Sequence, residues 1–179
     1  MDKVTEIEIQ AIYAFVKNDV KYQSRVSRII RTVTEALQFG TYCDSTKAKK
    51  INLIMSREAA SLMGADKKKA NFAKKTVLEH TKPISTLYKE LLARKDDATL
   101  AEVSQKLVDY VRSFPLVTIT GEQDRALKDN VALPHVRYHN ARIEVGQVTA
   151  MTFGRHPEWT ILPKALQMVV VDERRSDFV

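Results

Sequence analysis

The sequence predicts a mainly α chain that carries a small α+β element at its C-terminal end. Three observations carry this expectation. Apolar residues recur at helical spacing from about residue 5 to 113, glycine or proline separates several of those stripes, and the β-branched run LVTIT follows Pro115. The chain has 179 residues, of which 44% are hydrophobic and 28% charged, and is read as a single domain over 1–179. Its helical bulk is placed at about 5–113 and the αβ element at about 116–179.

The first helix is read from Thr5 to about Asn18, where Ile7, Ile9, Ile12, Phe15 and Val16 recur with a mostly helical period. From Tyr22 to Phe39, Val26, Ile29, Ile30, Val33, Ala36 and Leu37 form one stripe, and Gly40 stands where a helix C-terminus favours glycine. Arg25, Arg28 and Arg31 occupy the opposite side. TYCDST is a loop, Ser45 or Thr46 caps a helix from Lys47 to Met55, and Ser56 caps the short helix REAASLM before Gly64. Asp66 caps a lysine-rich helix running towards Glu79.

Together SREAASLMGADKKKANFAKKTV has the texture of a helix-turn-helix at about 56–79. A plain helical connection is the other reading. In the helix-turn-helix reading the second helix, Lys67 to Thr76, supplies phosphate contacts. Asn71, Lys74 and Lys75 are then the side chains for base edges, because asparagine pairs with adenine and lysine with guanine.

Pro83 suits a first helical turn, so a break near His80 and a new helix through Arg94 are expected, with Ile84, Leu87, Tyr88, Leu91 and Leu92 on its buried face. Thr99 with Glu102 is a capping box for a helix whose stripe is Leu100, Val103, Leu107, Val108 and Val111, stopped by Pro115. LVTIT is a short strand, and Thr120 with Gln123 repeats the capping spacing for GEQDRALKD. ARIEV and VTAMTF read as strands, and WTILPKALQMVVVDERR as an apolar segment with a charged tail.

Charge is unevenly placed. The net +7 divides into +1 over 1–40 (6 Lys/Arg against 5 Asp/Glu), +8 over 41–95 (13 against 5), −3 over 96–130 (4 against 7) and +1 over 131–179 (6 against 5). The excess segment holds Lys47, Lys49, Lys50, Arg57, Lys67, Lys68, Lys69, Lys74 and Lys75. Such clustering is the footprint of a surface that neutralises phosphates, the other readings being a solvated helix face or an acidic protein or membrane surface as partner. The expected partner is nucleic acid, DNA ahead of RNA, bound without catalysis in a regulatory or mobile-element role. A homodimer is left open, and a protein-interaction module without nucleic acid is a further alternative. Aromatic residues are few, which argues against base stacking as the main source of affinity.

Function classes are narrowed by what the sequence lacks. The longest apolar runs fall far short of the ~20 residues of a membrane helix, and MDKVTEIEIQ has the wrong texture for a secretory signal, so no membrane partner is expected. Cys43 is the single cysteine, which precludes an internal disulfide or a cysteine zinc site and suits a cytoplasmic setting. No Gly-rich phosphate loop, Walker-type lysine motif, nucleophile elbow or HExxH occurs, so no cofactor and no metal are expected.

One stretch leaves catalysis open as the alternative. LPHVRYHNARIEV reads as a loop entering a strand, on which His135, Arg137 and His139 share one face by the two-residue alternation. An imidazole to move a proton beside a cation to stabilise phosphorane charge is what metal-free RNA cleavage needs, so a nuclease would be centred there. Arg155 and His156 in GRHPEW read as a turn before Trp159, the other reading being that they join this group in space. Glu79 with His80 reads as a helix end whose histidine meets the terminal carbonyls, a general base or a ligand being the other reading.

Overall fold

The computed structural model describes residues 1–40, 44–127 and 134–162, the side chains of 134 and 135 excepted. Among the described residues the elements are, in chain order, α1 (Lys3–Lys17), α2 (Ser24–Phe39), α3 (Ser45–Ile51), β1 (Ile54–Ser56), α4 (Arg57–Ala65), α5 (Lys69–Lys75) and β2 (Thr76–His80). There follow α6 (Ile84–Leu92), α7 (Leu100–Ser113), β3 (Leu116–Thr120), α8 (Gly121–Ala126), α9 (Pro134–Asn140), β4 (Val145–Val148) and β5 (Trp159–Ile161). The fold is mainly α with a small mixed sheet. No helix among the described residues is long and apolar enough to cross a membrane.

The chain divides into two compact units, Met1–Ser45 with Lys82–Pro115, and Thr46–Thr81 with Leu116–Val179. The first unit is helical. Asp2 caps α1 by accepting from the Val4 and Thr5 amides at 3.0 Å each. That helix stops in a left-handed turn at Asp19 (φ 52°), where Val20 N–H donates back to Phe15 O at 2.9 Å. Gly40, at φ 74°, ends α2 as its type allows. Thr99 and Glu102 close the expected capping box on α7.

The apolar stripes of these helices meet in one core containing Ile12, Val16, Val26, Ile30, Val33, Leu87, Tyr88 and Leu107, all 0% exposed. Each such side chain stabilises the unit by about 1.5–3 kcal/mol relative to exposure. The polar end of Tyr88 is satisfied too, its hydroxyl donating to Val20 O at 2.8 Å.

The second unit is built on a five-stranded sheet in the order β2-β3-β1-β4-β5. Only β1 and β3 run parallel; the other neighbours are antiparallel, with full β2–β3 pairing from Thr76↔Thr120 to His80↔Leu116. Asn52, 2% exposed, stitches the parallel pair: its Nδ2 donates to Leu116 O (3.1 Å) and Thr118 Oγ1 (3.2 Å), while its Oδ1 accepts from Ile54 N–H. Both parallel strands pass straight into helices. Ser56 at the end of β1 caps α4, and Thr120 at the end of β3 caps α8 through the expected box with Gln123. Ser56 Oγ also donates to Gln123 Oε1 at 2.7 Å, so the two caps are linked.

Several sequence expectations are corrected here. The helix expected from Lys47 to Met55 is the shorter α3, because Ile54–Ser56 pairs with strands on both sides as β1. The lysine-rich helix expected to run towards Glu79 stops at Lys75, because TVLEH alternates buried and half-buried residues and pairs along its whole length with β3. Strands therefore interrupt the helical bulk expected at 5–113.

No helix-turn-helix is shown among the described residues. Residues 57–75 are two short helices spliced between β1 and β2, and Phe72 and Ala73 of α5 are buried in the unit's core. Finally, PHVRYHN is helix α9, not strand, with Pro134 at its first position, where a missing amide costs nothing. Arg142, at φ 54°, reverses the chain after it, with Ile143 N–H donating to Tyr138 O at 2.9 Å.

Candidate nucleic-acid interface

The two units differ in charge. Over its sequence span the second unit contains 17 Lys/Arg and 11 Asp/Glu, a balance of +6, and the first 12 and 11, a balance of +1. The second unit's excess comes from residues 46–81, with nine basic and three acidic side chains. No acid occurs between Asp66 and Glu79, and within that interval lie Lys67, Lys68, Lys69, Lys74 and Lys75.

The elements decide which of these cations face solvent. In α5 Phe72 is buried in a cluster with Met55, Ala59, Ala60 and Met63, and Ala73 is buried too, so the other side of this two-turn helix is turned outward. Lys68, which occupies the N-cap position of α5, and Lys69, Asn71 and Lys74 are exposed. Lys67 is exposed on the connection between α4 and α5. Lys75 Nζ lies 3.0 Å from the Asp66 carboxylate, an ion pair that fastens one end of α5 to the end of α4.

Other expected site residues have structural engagements. Lys49 on α3 donates to Ala73 O at 2.7 Å and Thr76 O at 3.0 Å, so its ammonium caps the carbonyl end of α5. This bond also sets α3 beside the end of α5 that carries Lys74 and Lys75. Lys47 is exposed and Lys50 half-buried on the same helix. Arg57 pairs with Glu144 Oε2 at 2.6 Å, and its guanidinium lies 4.4 Å from the centre of the Trp159 ring.

Of the His-Arg-His group, Arg137 and His139 are not brought to one face. On α9 Arg137 turns inward, with its side chain 1% exposed, and donates to Glu79 Oε1 at 3.1 Å. His139 is exposed, and the side chain of His135 lies outside the described residues. A two-residue spacing that would align Arg137 and His139 on a strand directs them to different sides of a helix. Cys43 also lies outside the described residues. Among the described residues no group of three or more His, Cys, Asp or Glu could hold a metal ion.

The structure gives a seat to Arg155 and His156, which the sequence reads only as a turn before Trp159. The turn containing Arg155 and His156 packs on α4: Gly154 N–H donates to Met63 O at 3.1 Å, and Phe153 meets Phe72 edge-on at 5.4 Å. Both Arg155 and His156 are exposed there. The signals for this approach are two glycines, Gly64 and Gly154, whose missing Cβ atoms make room for it.

The first unit offers a concavity of about 330 Å³ near Asp2, Thr5, Leu37, Val108 and Arg112. The Asp2 carboxylate is engaged by the α1 cap and the Thr5 hydroxyl, which leaves Arg112 as the charged group without a described complement of catalytic groups. The lysine-bearing surface of the second unit is the stronger candidate. Compared with protein-family models, curated proteins and solved structures, the chain matches none.

Proposed function

We propose that the second unit binds nucleic acid, duplex DNA foremost, through a cationic surface made by α5, the α4–α5 connection and the exposed part of α3. The observation that supports this most is local. Lys67, Lys68, Lys69, Asn71 and Lys74 are exposed on a stretch anchored by the buried Phe72 and Ala73, and no acid lies between Asp66 and Glu79. Lysines so placed are point charges for backbone phosphates, and their binding is driven by release of condensed counterions. Lys47, Lys50 and the ion-paired Lys75 flank that surface. Lys49 and Arg57 shape it instead, one by capping α5 and the other by bridging Glu144 and Trp159. Asn71 is the side chain on α5 suited to an adenine edge.

The test is a salt titration of binding to a labelled mixed-sequence DNA duplex, read by fluorescence anisotropy. Each phosphate neutralised contributes about −0.9 to the slope of log K against log salt, so contacts from Lys67, Lys68, Lys69 and Lys74 give about −3.6. The charge reversal Lys68→Glu with Lys69→Glu and Lys74→Glu abolishes binding at low salt. Absence of wild-type binding, or affinity indifferent to ionic strength, overturns the reading.

A further inference from the structure

The lysine surface does not end at α5. Gly64, on α4, is covered by the 153–156 turn: a Cβ at that position would stand 2.9 Å from His156 Nδ1, 3.0 Å from its Cα and 3.2 Å from Arg155 O. On the other side of the turn, a Cβ at Gly154 would stand 3.2 Å from Lys67 Cγ. Gly154 adopts φ 78°, a left-handed conformation that lets the chain reverse there at little cost. Lys69 Nζ lies 5.6 Å from the centre of the Phe153 ring, within range of a cation–π contact. The turn therefore has a glycine beneath it, an aromatic anchor on the Phe72 edge and lysine stems at its side.

We propose that this turn is the second half of the polyanion surface, with Arg155 as a phosphate-binding residue and His156 as a neighbouring donor. The proposal rests on the nucleic-acid reading above. Arg155 is far from the lysines in sequence, yet the turn that carries it is seated on the helix leading into them. An arginine fork offers two parallel donors to one phosphate, which the α5 lysines, as single points, cannot do. A backbone lying along the exposed lysines of α5 meets this fork at the Lys67 end. Arg155 thereby fixes register while the lysines contribute charge, a division in which phosphate contacts orient the duplex.

The experiment compares Arg155→Ala, Arg155→Lys and Lys89→Ala with wild type in the same duplex titration. Lys89 is an exposed lysine on α6, in the first unit. Loss of one phosphate contact lowers the magnitude of the salt slope by about 0.9 and weakens binding about eightfold at roughly 0.1 M salt. That result is expected for Arg155→Ala, with an unchanged thermal midpoint, while Arg155→Lys restores the slope and Lys89→Ala leaves it unaltered. If Arg155→Ala binds as wild type does, or if Lys89→Ala loses as much as Arg155→Ala, the turn is not part of the interface and the lysine reading stands alone. If wild type binds no duplex, both fall.

Discussion

Arg137 and Glu79 form a buried ion pair across the second unit, Nη2 to Oε1 at 3.1 Å, with the arginine side chain 1% and the glutamate 16% exposed. The same guanidinium reaches the carbonyl oxygens of His80 and Thr81 at 3.4 and 3.3 Å through Nη1. These contacts tie α9 to the end of β2 at the edge of the sheet. A charge so placed is stable only while its partners remain, because desolvation has already removed the water that would replace them.

Arg137→Ala therefore leaves a mostly buried carboxylate and two carbonyl oxygens short of a donor. Removing one member of a buried pair costs about 3–5 kcal/mol, whereas replacing both members with apolar residues is often nearly neutral. Urea unfolding of Arg137→Ala, and of Arg137→Leu combined with Glu79→Leu, separates the two cases. The single variant is expected to fall by that amount and the double variant to recover much of it. A single-variant loss under about 1 kcal/mol would mean that the pair behaves like an exposed one.

Glu8 on α1 presents the reverse situation. Its Oε2 is buried without a hydrogen-bond partner, and burial, assisted by the charge of Asp2, raises its pKa above the ordinary glutamate value. A carboxyl with a raised folded-state pKa binds its proton more tightly when folded, so the folded state is favoured at low pH and loses that advantage as pH rises through the raised value. Glu8→Gln removes the penalty while keeping the shape. The variant is expected to melt above wild type at neutral pH, with the difference vanishing as pH falls below the unfolded-state value. An equal melting difference at pH 3 and pH 7 would assign the effect to packing instead of charge.

Local signals were legible in the sequence, and long-range ones were not. The boxes at Thr99–Glu102 and Thr120–Gln123 involve residues three apart, so their spacing is enough to place α7 and α8. The stripe of α2 and its Gly40 terminus are equally local. By contrast, Ile54–Ser56 is three residues long and becomes a strand only because Thr118 and Gly146, far along the chain, lie beside Met55. Thr76–His80 follows a lysine-rich helix without a glycine or proline to announce the change. Pro134 reads locally as a loop signal, although a first helical turn accepts proline equally well. For the candidate interface, the clustering of lysines was visible, whereas the diversion of Lys49 to helix carbonyls and Arg57 to Glu144 depends on tertiary contacts. The seat of Arg155 depends on Gly64, which the sequence reading used only as a helix stop.

Gly146 provides the sharpest test of the second unit's packing. It lies in β4 between Met55 of β1 and Ile161 of β5, and the Trp159 indole crosses the space where its side chain would be. Trp159 Nε1 donates to Met55 O at 3.1 Å, and Arg57 covers the ring, so the indole is held from two directions. A Cβ at 146 would overlap Cε2 and Cζ2 of the ring and the Thr160 carbonyl oxygen. Because one contact is backbone, the strain cannot be relieved by a rotamer change alone. Gly146→Ala is thus expected to cost at least the 1–3 kcal/mol typical of an overpacked core and to push the indole towards water. Trp159 is the chain's single tryptophan, so its emission reports this displacement directly. A red shift together with a lower melting midpoint is the expected result; an unshifted spectrum with wild-type stability would mean that the ring does not rest on Gly146.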